Sequence, residues 1–147
     1  MSRRRPDEPQ RFLTDFPDLP WCGQHILGGE EGHTPIPCYS LQEWGEFIAD
    51  RENVIVAYTG NATKWVSTVF LGVDHGFHWG GPPTLFETMV FVDEGRTIDV
   101  GDGSRMPVPE TLDCERYSSW DDAEIGHKAM VRKWLTNAKT RVGANEE

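Results

Sequence analysis

Two runs with strict two-residue alternation, residues 64–73 and 84–92, constrain this chain more than any other feature. In the first, Trp65, Ser67, Val69 and Leu71 share one face, and Val66, Thr68 and Phe70 share the other. In the second, Leu85, Glu87, Met89 and Phe91 oppose Phe86, Thr88, Val90 and Val92. Successive side chains of a strand point to opposite sides, so each run reads as a strand of a sheet with two unlike faces. The apolar, β-branched run at 54–58 predicts a buried strand before them, joined through the turn residues of Thr-Gly-Asn-Ala-Thr. Short connections favour antiparallel neighbours. Residues 97–108 carry an Asp-Gly pair between strand-like triplets and predict a projecting hairpin, and residues 112–117 predict a fourth strand.

The remaining periodic segments repeat every three to four residues. Ser40 with Glu43 three positions on is a capping box, and Leu41, Trp44, Phe47 and Ile48 form one stripe, which predicts a helix over 41–50. A second helix opens at Ser119, with Asp121 and Asp122 in its first turn and Lys and Arg toward its end, as the helix dipole prefers. Its stripe is Trp120, Ala123, His127, Met130, Trp134 and Ala138. A stripe of that width must lie on the sheet. The expectation is an α+β domain, a small antiparallel sheet of about four strands with two helices packed on one face. Six of the ten prolines fall in residues 1–39, which predicts an irregular Pro/Gly-rich segment ahead of a single domain over 40–138 and a tail over 139–147.

Charge narrows the function classes. The formal net charge is −10, and within residues 84–125 eleven acidic residues stand against three arginines, leaving −8. Phosphate backbones are bound by concentrated Lys and Arg, so direct nucleic-acid binding is disfavoured. An acidic face suits solubility, a basic protein partner, or imitation of nucleic acid toward such a partner. The longest apolar run, residues 54–58, is far short of the ~20 residues that span a bilayer. The basic N-terminus has no apolar core of a secretory signal, and three cysteines are an odd number, so the expected location is the cytoplasm, with reduced thiols.

Three stretches of this chain, "VSTVFLGVDH" with "GPPTLFETMVF" and then "RYSSWDDAEIGH", resemble a group of small uncharacterised proteins of tailed phages and prophages. The resemblance covers residues 64–92 and 115–131. It implies a phage origin, hence a host-cell cytoplasm, and a strand–loop–strand–helix core, and it brings no activity or catalytic residue with it. The segment 93–113 and the Pro-rich N-terminus depart from the pattern.

Three constellations carry candidate chemistry. The loop 72–83 holds Asp74, His75, His78 and Trp79, a partner-binding set. The two histidines with Glu87 would also suit a metal or acid–base work, although Asp74 capping the strand end by accepting backbone N–H bonds explains the loop without chemistry. Cys22, His25, His33 and Cys38 form two soft-ligand pairs suited to a structural zinc, and no other cofactor is required. His127 lies on the inward stripe of the last helix beside Gly126, whose lone hydrogen suggests a close helix–sheet approach. A lone inward histidine is usually a core residue with a backbone partner, and a His127–Glu87 hydrogen bond would satisfy both groups. P-loop, dinucleotide, nucleophile-elbow and HExxH motifs are absent from the sequence. The expected function is therefore a small acidic phage accessory that binds a host or phage protein without catalysis. A metal-dependent enzyme built on His75, His78 and Glu87 is one alternative, and a zinc-stabilised acidic nucleic-acid mimic is another.

Overall fold

The computed structural model describes residues 23–74 and 81–136. The chain enters through a hairpin of β1 (His25–Gly28) and β2 (Thr34–Pro37), then forms α1 (Leu41–Ala49) and a single helical turn α2 (Arg51–Val54). Next come β3 (Ile55–Gly60), β4 (Lys64–Phe70) and β5 (Phe86–Val92). An exposed hairpin of β6 (Thr97–Asp99) and β7 (Arg105–Pro107) precedes β8 (Glu110–Tyr117) and α3 (Trp120–Val131), which ends in a wider π turn (Arg132–Thr136). The central sheet is antiparallel throughout in the order β3-β4-β5-β8. It is an α+β fold with its helices on one side of the sheet.

The caps stand where the residue types placed them. Ser40 Oγ accepts from the Glu43 N–H at 3.1 Å, and Ser119 Oγ accepts from the Asp122 N–H at 3.1 Å. The inward positions of the alternation become the core. Val66, Thr68 and Phe70 on β4 and Phe86, Thr88 and Val90 on β5 are buried, with Ala123, His127 and Met130 of α3 above them. Leu27 of the N-terminal hairpin and Phe47 and Ile48 of α1 pack against the Phe70 and Phe86 end of this layer. Val66, Val90 and Met130 form the other end, with Leu112, Val131, Trp134 and Leu135 against them. Val131, Trp134 and Leu135, at the end of α3 and in the π turn, share one side and pack on that cluster.

Several boundaries differ from the sequence reading for identifiable reasons. The segment expected to be irregular contains the β1–β2 hairpin. Pro35 and Pro37 are two residues apart on β2, so their missing donors lie on one side of the strand. That side faces away from β1, while the neighbouring Cys38 N–H donates to the Gln24 carbonyl at 2.9 Å. The strand expected over 54–58 is Ile55–Gly60, because Asp50 accepts from the Glu52 N–H at 3.0 Å and starts a turn that takes up Val54. The strand expected to run to 73 ends at Phe70. Gly72 turns to φ +78°, and its carbonyl accepts from the Trp44 indole at 3.0 Å and from the His25 N–H at 2.7 Å. The end of β4 is thereby spent on docking α1 and β1.

Candidate functional site

The inward side of the sheet carries a continuous chain of hydroxyl and imidazole groups. Thr59 Oγ1 of β3 lies 2.8 Å from His127 Nε2, and His127 Nδ1 lies 2.8 Å from Thr68 Oγ1 of β4. Thr68 Oγ1 is 2.6 Å from Thr88 Oγ1 of β5, and Thr88 bonds the Tyr117 hydroxyl of β8. One side chain from each strand and one from α3 thus form a line across all four strands. Each hydroxyl has one hydrogen to give and neutral imidazole has one, so the chain is satisfied whichever way the hydrogens run. Burial pushes the His127 imidazole below its ordinary range, which favours this neutral form, and burial likewise pushes the Tyr117 hydroxyl up. A Cβ at Gly126 would overlap the Tyr117 hydroxyl and ring, so only glycine lets the tyrosine pass under α3 to reach Thr88.

The three stretches that carry the sequence resemblance meet in this line. Thr68 belongs to the first, Thr88 to the second, and Tyr117, Gly126 and His127 to the third. The expected His127–Glu87 bond does not form, because the two residues lie on opposite sides of the sheet. His127 is held by side-chain hydroxyls rather than by a backbone carbonyl. Alternation already placed Thr68 and Thr88 on the core face. The signal passed over was that two threonines shared this face with apolar residues and so needed a polar partner.

The outward side of the sheet has a different character. Trp65 stacks on Phe91 with centroids 5.5 Å apart, beside Met89 and a Tyr58 that is 56% exposed. None of these four side chains enters either core cluster. Among the described residues, no helix or hairpin packs over them. Glu87 lies on this side, its Oε2 accepting from Arg116 Nε at 2.9 Å and from Cys114 Sγ at 3.4 Å. The pair neutralises itself within the face. Burial, followed by the Glu87 carboxylate, pushes the Cys114 thiol up, which leaves it a poor nucleophile. Glu110, Asp113 and Glu115 of β8 pair with Val92, Val90 and Thr88 and so stand on the α3 side of the sheet, while Asp99 and Asp102 lie on the projecting hairpin. Asp113 Oδ2 accepts from Trp134 Nε1 at 2.8 Å and from Lys133 Nζ at 3.0 Å, which fastens the π turn to the sheet.

The other expected site residues are not brought into one constellation. Asp74 Oδ1 accepts from the Thr84 N–H at 2.9 Å, so it straps the two ends of its loop as a capping carboxylate does. His75, His78 and Trp79 lie outside the described residues, as does Cys22. His25 Nδ1 bonds the Gly23 carbonyl at 2.8 Å, and the Cys38 thiol donates to the Ser40 carbonyl at 3.4 Å. Both stand at the open end of the β1–β2 hairpin. His33 stands at its turn end, three residues or roughly 10 Å along the strand. There it stacks face to face on Trp120, with centroids 3.6 Å apart. Among the described residues, no three His, Cys, Asp or Glu side chains are grouped so as to hold a metal ion. None of the helices described is long and apolar enough to cross a membrane. No family model, curated protein or solved structure matches the chain.

Proposed function

We propose that the protein is a phage-encoded accessory that acts by binding another protein, of the phage or its host, through the outward face of its sheet. The observation that carries this reading is the cluster of Tyr58, Trp65, Met89 and Phe91 on a face that no described element covers. Aromatic side chains and methionine gathered at a surface are the usual centre of a protein interface. Charge complementarity states the partner's chemistry. The net charge of −10 calls for a partner whose apolar patch is rimmed by Lys and Arg. Glu87, which a metal-dependent enzyme would need beside His75 and His78, is already committed to Arg116.

The test begins with partners captured from phage-infected host cells, followed by measurement on the purified pair. Phe91→Asp should weaken binding at least tenfold while the far-UV spectrum stays that of the parent. Rising salt should slow association, because the protein's net negative charge steers a basic partner. Binding unaffected by both Phe91→Asp and Trp65→Ser would refute the face. Displacement of the protein by duplex DNA would move the reading to an acidic nucleic-acid mimic.

A further inference from the structure

His127 sits where a charge is hard to hold. It is 5% exposed, and both of its ring nitrogens face threonine hydroxyls. A protonated ring could still donate to both threonines, so no hydrogen bond is lost on protonation. The cost is a buried cation without a counter-ion. The groups around it make this concrete. β3 presents only Thr59, and β5 presents only Thr88. β4 presents Thr68 with the cation Lys64 at its start. β8 presents Tyr117, the exposed Glu115, and Asp113, which is already bound by Trp134 and Lys133. On α3 itself, Glu124 and Lys128 flank the ring in sequence, and both are exposed. Among the described residues, no carboxylate bonds the imidazole.

We infer that His127 is an acid-sensitive latch, whose protonation releases the middle of α3 from the sheet while the π turn stays fastened. The second half of this inference rests on the other anchor. Asp113 binds Trp134 and Lys133 as an ionised carboxylate, and the Trp134 and Lys133 hydrogen bonds hold it below the usual carboxylate range. It therefore stays charged well below the pH at which an imidazole takes up its proton. Burial of His127 acts in the same sense. The sign follows: a base held below its unfolded value lends stability that is complete above pH ~6.5 and is lost as pH falls toward its folded value. The latch is independent of the docking face, which lies on the other side of the sheet.

Hydrogen exchange of the full chain between pH 7.5 and 5, corrected for intrinsic rates, tests the latch. Protection of residues 123–131 should fall about tenfold per pH unit below pH ~6.5, since one proton is taken up on opening. The amides of β4 and β5 should hold. His127→Gln can bridge the two threonines but cannot titrate, and it should abolish the pH dependence. Equal pH dependence in both proteins, or helix and sheet amides failing together, would overturn the latch. Direct NMR titration of the His127 ring decides independently of how the variant folds. A midpoint at or above 6.5 would also overturn it.

Discussion

Gly126→Ala tests whether the helix–sheet approach is as tight as the geometry requires. In an exposed helix this change would add ~1 kcal/mol of stability through propensity alone. Here the new methyl lands on the Tyr117 hydroxyl and ring carbons. Carbon atoms need about 3.5–4.0 Å between them, so the ring must give way by on the order of 1 Å. Tyr117 cannot do so freely, because its hydroxyl is bonded to Thr88 at the end of the buried chain. Stranding Thr88 and overpacking the contact each cost ~1–3 kcal/mol and overlap in cause, so together they exceed the propensity gain. The net expectation is destabilisation by about 1–3 kcal/mol, read from urea melts with an unchanged m-value. In a Tyr117→Ala background the obstacle is gone, and the same change should stabilise by up to ~1 kcal/mol. If Gly126→Ala by itself matched or exceeded the parent, Tyr117 would be free to swing out, and the tight approach would be refuted.

Two further outcomes follow from the ion pairs. Arg116→Ala should destabilise by ~1–3 kcal/mol in a thermal or urea melt, because it leaves Glu87, whose side chain is only 12% exposed, without its charged partner. Adding Glu87→Gln should recover part of that loss, and a fully additive double variant would show that the pair is not coupled. Asp113 lends stability that is complete above its unfolded value near pH ~3.9 and disappears as pH falls through its lower folded value. Fluorescence of the π turn through Trp134 should therefore change only below pH ~3.9, and Asp113→Asn should remove that acid limb. A transition between pH ~6.5 and ~3.9 that survived in the Asn variant would belong to His127.

Much of the architecture was legible because its causes are local. A strand's alternation and a helix's three-to-four spacing follow from backbone geometry within a few residues, so β4, β5 and α3 could be read from the chain. Ser40 and Ser119 cap their helices for the same reason, and Asp74 closes its loop through a bond to Thr84, ten residues away. Gly126 was legible too, since a glycine on an inward stripe points to close packing. The N-terminal hairpin was not. Proline content signals irregular chain unless one knows that both prolines turn their missing donors to the free side of an edge strand.

What only the tertiary structure decided is which side chains meet. His127 and Glu87 each had an unmet need in the sequence, and pairing them satisfied both on paper. The strand register instead set Glu87 opposite Arg116 on the outward face and brought Thr59, Thr68, Thr88 and Tyr117 beneath α3. These contacts join residues far apart in the chain. They depend on strand order, register and which sheet face the helix covers, none of which a local period encodes. The sequence by itself determined the main helices and sheet strands and their inward faces, but not the N-terminal hairpin. The long-range packing decided that the buried histidine would be held by hydroxyls, and that no described element would cover the aromatic face.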